Sequence, residues 1–134
     1  MKIIVDSYVW IEIFVGTAKG ESATKVMDDA EELYTPDVVL AEIARKYKRE
    51  GFDRTVIEKR LDRIAEASQL VSIDKNVALA SASAFFDLRE EAKRKGLGEP
   101  GLFDAIILGT TRALSAKVLT GDPHFKDLNE TLWL

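Results

Sequence analysis

The sequence predicts an α/β fold, a three-layer sandwich in which a mostly parallel sheet of four to five strands lies between helices. Short apolar runs recur at residues 3–5, 33–35, 70–73 and 117–120; they are brief and show little polar alternation, as expected of strands buried on both faces. The stretches between them carry apolar residues at spacings of three and four, the period of an amphipathic helix. Strands that alternate with helices pair in parallel through right-handed crossovers, which puts helices on both faces of the sheet.

The elements follow in order. Ile3, Ile4 and Val5 form the first strand and Asp6 ends it. A helix over 8–15 is apolar except for Glu12, with Gly16 as its stop. A second, amphipathic helix over 21–32 is organised by Ala23, Val26, Met27 and Ala30, and the second strand over 33–35 is closed by Pro36. Asp37 is the expected cap of a helix over 38–50 that Gly51 terminates. Another helix starts at Asp53 or Thr55, with Ile57, Leu61 and Ile64 on one side and a solvated charged face on the other. Leu70, Val71 and Ile73 mark the third strand, and Asp74 caps an Ala-rich helix over 75–95. Gly96, Gly98, Pro100 and Gly101 break the chain. A helix over 102–116, a strand over 117–120 and a short last strand over 131–134 complete the fold.

With 134 residues, 46% of them hydrophobic, the chain is expected to be a single domain over 1–134 with a core that needs no staple. The absence of cysteine excludes disulfides, thiolate zinc sites and thiol catalysis, and the single histidine, His124, removes chemistry that needs two imidazoles. No secretory or membrane-spanning segment is expected at the amino end, which points to a cytoplasmic protein. Nineteen basic against 23 acidic residues give a net charge of −4, which argues against coating nucleic acid by bulk charge. The charge is uneven: residues 21–37 carry one Lys and six acids, whereas 45–63 carry eight basic residues and four acids.

Four acids stand where the pattern calls for something else. In a parallel sheet, ligands bind outside the carboxyl ends of the strands, near the point where strand order reverses. Asp6 and Asp122 follow two predicted strands and emerge at that edge. Glu42 interrupts the apolar run 38–44, and Asp104 the run 102–108. Each has an ordinary structural alternative: a helix cap for Asp6, a turn for Asp122 before Pro123, a polar stripe or favourable helix-dipole position for Glu42 and Asp104. Four acids at related topological positions are better explained by a shared cation, since an unpaired buried carboxylate is costly. Oxygen-only ligands select magnesium or manganese over zinc. With these four set aside, 19 basic and 19 acidic groups remain.

These residues resemble the PIN-domain family and, within it, the VapC-type toxins of toxin–antitoxin pairs. The resemblance spans essentially the whole chain. It rests on Ile4-Val5-Asp6-Ser7, on Glu42 in the helix after the second strand, on Asp104-Ala105-Ile106-Ile107, and on the run from Leu119 to Phe125. It implies a ribonuclease dependent on Mg2+, with Mn2+ as substitute, a sheet of order 3-2-1-4-5, a homodimer, and inhibition by a small antitoxin. By position, it implies Asp6, Glu42, Asp104 and Asp122 as the acidic quartet; the division of roles expected among them sets Asp6, Asp104 and Asp122 on the metal and Glu42 on the attacking water. Ser7 and Thr120 are then supporting hydroxyls. Family members often carry a second acid two positions after the last Asp, where this chain has His124; that departure bears on a second metal more than on the first.

Arg45, Lys46 and Arg49 follow Glu42 by three, four and seven positions, on its side of the helix, where they can grip RNA phosphates or simply complement the helix dipole. His124 reads as a surface turn residue within reach of substrate. Trp10, Ile13, Phe14 and Val26 read as core or as a groove for an antitoxin helix. Two other readings compete: a PIN-fold RNA-processing component with weak nuclease activity, and a non-enzymatic receiver or binding module. The receiver reading lacks an adjacent acidic pair after the first strand and a lysine after a late strand.

Overall fold

The computed structural model describes the whole chain, Met1–Leu134. Five strands form one sheet in the order β3-β2-β1-β4-β5, and every neighbouring pair is parallel. The strands are β1 (Lys2–Val5), β2 (Glu32–Pro36), β3 (Gln69–Val71), β4 (Lys117–Thr120) and β5 (Thr131–Trp133). The helices are α1 (Ser7–Val15), α2 (Ala18–Asp28), α3 (Val38–Arg49), α4 (Arg54–Ala67), α5 (Lys75–Lys95) and α6 (Leu102–Ala113). The register is fixed by pairs such as Ile4 with Tyr34 on one side and with Val118 on the other.

The central strands are the apolar runs of the sequence. Ile3, Ile4, Val5, Val118 and Leu119 are almost wholly buried and join Val9, Trp10, Val39, Ile43, Ile64, Leu88, Ile107 and Leu108 in one core. Glycines stop helices where the sequence places them. Gly16 and Gly96 adopt left-handed conformations at the ends of α1 and α5, with φ of 85° and 70°, and glycine does so without a Cβ clash.

Several boundaries differ from the sequence pattern, each for a local reason. The second helix begins at Ala18 rather than at residue 21, because the Thr17 side chain accepts a hydrogen bond from Gly20 N. It ends at Asp28, and Glu32 enters β2 instead. Ile73 lies beyond β3, and α6 ends at Ala113, where the chain turns through Ser115 at φ 51°. Asp74 caps α5 by accepting from Val77 N at 2.8 Å. Asp37 precedes α3 in helical conformation and makes no capping bond. The charged face of α4 is not wholly solvated either: the Arg60 guanidinium lies over the rings of Tyr47 at 4.5 Å and Phe52 at 4.8 Å, a cation–π contact that ties α4 to α3 and the turn after it.

Trp10 is core. Ile13 and Phe14 pack against that core from partly buried positions, and Val26 is exposed. The Trp10 indole donates to the Thr35 hydroxyl at 3.2 Å; Thr35 meets Ser68 at 2.7 Å, and Ser68 donates to Ile64 O at 2.9 Å. This buried relay satisfies each polar group and locks α1, β2 and α4 together. The closing residues form an edge strand, β5, beside β4. No helix is long and apolar enough to cross a membrane.

α5 and α6 approach closely at Gly109, where an added Cβ would stand 2.6 Å from both Cα and N of Ser81. Because those are backbone atoms, the helices must separate to admit a methyl group. Gly109→Ala is therefore expected to destabilise the fold by about 1–3 kcal/mol despite alanine's better helix propensity. Urea unfolding checks this; equal or greater stability of the variant would show that the two helices can part freely.

Candidate functional site

The strand order reverses between β1 and β4. The chain builds β2 and β3 outward on one side of β1, then crosses to lay β4 on the other side. In sheets of this kind the loops leaving the carboxyl ends of two such strands part, and ligands bind in the crevice between them. Asp6 leaves the end of β1 and Asp122 follows β4 by two residues, while α3 carries Glu42 and α6 carries Asp104.

Asp6 is the most enclosed of the four, 5% exposed. One carboxylate oxygen accepts from Ser7 N at 2.7 Å, and the other accepts from the Thr120 hydroxyl at 2.7 Å. Thr120 Oγ1 in turn accepts from Asp122 N at 3.0 Å, so one hydroxyl orients the loops after both strands. The Ser7 hydroxyl lies 3.3 Å from Glu42 Oε2 and 3.4 Å from Asp6 Oδ1, bridging β1 and α3. Asp104 sits in the first turn of α6 and accepts from Gly101 N at 3.1 Å. It serves the helix end as well as facing the crevice.

These carboxylates act on one another. Burial, followed by the nearby charges of Asp122 and Asp104, pushes Asp6 up to about 6 against the hydrogen bonds that favour its ionised form. Burial, Asp6 and Asp104 push Glu42 up to about 7, with Ser7 and Arg45 opposing. Asp104 is also raised, chiefly by burial and then by Asp122. Carboxylates that share a desolvated site cannot all ionise without help.

The tightest group of potential ligand atoms is Asp104, Asp122 and His124, all within 4.8 Å of one another. His124 is thus no free turn residue. Its Nδ1 lies 3.0 Å from Asp122 Oδ1 and its Nε2 2.9 Å from Gly98 O. A ring with an oxygen acceptor at each nitrogen is fully satisfied as the imidazolium. Burial works against that charge, but the Gly98 carbonyl and the two aspartates hold His124 above its ordinary value. The contact with Gly98 spans 26 residues of sequence, and only the gathered breakers Gly96, Gly98 and Gly101 hint that this loop comes close.

Tyr8 is a further neighbour that sequence reasoning passed over. A Cβ at Gly121 would stand 2.6 Å from its ring carbon Cζ, so the glycine between Thr120 and Asp122 makes room for the Tyr8 ring. The basic trio divides. Arg45 is exposed, lies 5.6 Å from the centre of the Phe103 ring and acts electrostatically on Glu42. Lys46 is ion-paired with Glu50 at 2.7 Å, and Arg49 is exposed in the last turn of α3.

Because Asp6 holds its proton more tightly folded than unfolded, its contribution to stability is fully present below about pH 4 and is lost as pH rises through about 6. The shift corresponds to up to about 3 kcal/mol at pH 7. Asp6→Asn removes that penalty. In EDTA the variant is expected to melt higher than wild type at pH 7.5, with the advantage vanishing toward pH 4. A variant no more stable at pH 7.5 would mean that the hydrogen bonds of Asp6 outweigh its burial.

The chain matches the PIN domain family model over residues 3–130. No curated protein sequence matches it. Its fold is similar to that of VapBC2 from Rickettsia felis, solved bound to a DNA fragment from its promoter, with a TM-score of 0.71 at 16% identity, covering 100% of this chain and 98% of the other. It is similar to a toxin–antitoxin complex from Klebsiella pneumoniae, with a TM-score of 0.72 at 19% identity, covering 97% and 95%. It also resembles VapC20 of Mycobacterium tuberculosis, a toxin that cleaves the sarcin–ricin loop, with a TM-score of 0.66 at 17% identity, covering 92% of each chain. The fold, the strand order and a family match over nearly its whole length agree: the chain belongs to the PIN domain family.

Proposed function

We propose that the chain is a divalent-metal-dependent endoribonuclease that hydrolyses RNA phosphodiester bonds and acts as the toxin of a VapBC-like toxin–antitoxin pair. One observation carries this reading: Asp6, Glu42, Asp104 and Asp122 gather at the switch point between β1 and β4, where burial first and their neighbouring charges second raise Asp6 to about 6 and Glu42 to about 7. The donor set fits a hard cation, because carboxylate oxygens dominate it and a divalent charge relieves their repulsion. Magnesium suits such a site, with manganese as its substitute. The single imidazole, already turned to Asp122 and Gly98, does not change that preference.

Asp6, Asp104 and Asp122 are the residues that would hold the ion. When bound, such an ion would supply positive charge against the developing negative charge of the pentacoordinate transition state and would make nearby water more acidic. Thr120 and Ser7 keep Asp6 and Glu42 in fixed rotamers, so little reorganisation is left for the moment of reaction. Glu42, half-buried and held by the Ser7 hydroxyl, accepts the proton of the attacking water. Arg45 steers a flanking phosphate toward the crevice, and Lys46 and Arg49 extend that basic edge along α3. In-line attack by water leaves a 5′-phosphate and a 3′-hydroxyl without using the RNA 2′-hydroxyl.

A small VapB-like antitoxin is the proposed protein partner. The toxin–antitoxin assemblies among its structural neighbours support that pairing.

The test is cleavage of a pooled set of structured and single-stranded RNAs by wild type and Asp6→Asn, in magnesium, manganese or EDTA, with product ends mapped. Wild type is expected to cut only with metal and to leave 5′-phosphates, and the variant to be slower by about 100-fold or more. Cyclic phosphate ends, or full activity in EDTA, would overturn the mechanism.

A further inference from the structure

α6 opens on two large apolar residues that the core does not use. Its buried run begins at Ala105, whereas Leu102 is 66% exposed and Phe103 is half-buried outside the core cluster. The aromatic contacts of the molecule join other rings and leave Phe103 out. Its neighbour is Arg45 of α3, whose guanidinium lies 5.6 Å from the ring centre. Nearby Lys46 and Arg54 are ion-paired with Glu50 and Glu58, but Arg45 is turned to the ring. A cation–π contact at such an open site adds only about 0.5–1 kcal/mol to a fold. Stability therefore does not account for a phenyl ring held out of the core there.

Placement says what the ring can do. Phe103 directly precedes Asp104, and Arg45 stands one helical turn after Glu42, on whose carboxylate its charge acts. Ring and guanidinium thus adjoin the acids from two helices. A phosphodiester drawn to those acids carries a base one sugar away, within reach of residues placed like these. A phenyl ring offers that base a π face to stack on, and a guanidinium is flat enough to stack and charged enough to meet the next phosphate. An apolar side chain of a protein would be served equally well by leucine at this position; a planar pair suits a planar ligand.

We propose that Phe103 is a base-stacking residue of the RNA site, on whose ring the base next to the bound phosphate lies, with the Arg45 guanidinium beside it. The inference rests on the nuclease reading for the identity of the ligand and adds to it a side chain that holds the nucleobase rather than the phosphate.

Fluorescence anisotropy of two labelled probes tests it: a short oligoadenylate, and an abasic ribose-phosphate oligomer of equal length and charge. The full chain carrying Asp6→Asn is used in magnesium, so that the RNA stays intact, with circular dichroism as the check on folding. It is expected to bind the oligoadenylate more tightly than the abasic oligomer. Adding Phe103→Leu, which keeps the apolar bulk and removes the π face, should weaken oligoadenylate binding by about tenfold and leave the abasic oligomer unchanged. Adding Phe103→Tyr should retain the preference. Equal binding of both probes before the Phe103 substitution, no binding of oligoadenylate, or a Phe103→Leu variant that keeps its preference or loses both probes alike would overturn the proposal. Each of these results is read without turnover, so the metal-dependent cleavage assay decides the nuclease reading separately.

Discussion

Burial of carboxylates beside one another at one edge of the sheet is the constraint around which this site is arranged. Asp6 is enclosed at the end of a central strand, and Glu42 and Asp104 face it from two different helices. Burial alone disfavours their charge, and their mutual proximity adds to it. The surrounding structure supplies partial relief through neutral donors: Ser7 N and the Thr120 hydroxyl for Asp6, Gly101 N for Asp104, and His124 N for Asp122. Those donors orient the acids without neutralising the group. What remains is a group of raised carboxylates whose ionisation opposes the stability of the fold.

The rest of the fold makes such a site tolerable. β1 and β4 are buried on both faces, so Asp6 and Thr120 stand on rigid strand ends and their 2.7 Å bond is made between fixed points. The buried relay from Trp10 through Thr35 and Ser68 to Ile64 O anchors α1, whose first residue is Ser7. The Arg60 contact with Tyr47 and Phe52 holds α4 against α3, the helix that carries Glu42. Stability of the apolar core thus sustains acids that are individually unfavourable where they sit.

Much of this was legible in the sequence because it rests on local pattern. A run such as Ile3-Ile4-Val5 followed by an acid can be read as a buried strand ending at an active edge, and the parallel order follows from alternation with helices. Glu42 and Asp104 were visible as interruptions of apolar runs. The structure brings both toward Asp6, and their functional roles rest on the proposal above. Features set by long-range contact were not legible. His124 reads as a turn residue until the loop at Gly98 folds against it, and Arg60 reads as solvated until aromatic rings from α3 and the turn after it close beneath it. Asp37 has a capping residue's identity, yet its helical backbone leaves it without a capping bond. Where the family resemblance leads one to expect a second acid, the chain sets an imidazole between Asp122 and a backbone carbonyl, so the outer side of the site carries a hydrogen-bonded ring instead of another carboxylate.

The most direct measurement is calorimetric titration of manganese into the wild-type protein and Asp104→Asn near pH 6.5, in buffers of different ionisation enthalpy. If the carboxylates repel one another until a cation arrives, manganese binding must release protons held on Asp6 and Glu42, and Asp104→Asn must weaken binding by about tenfold or more. Manganese that does not bind, or that binds without proton release and equally well to the variant, would contradict the account.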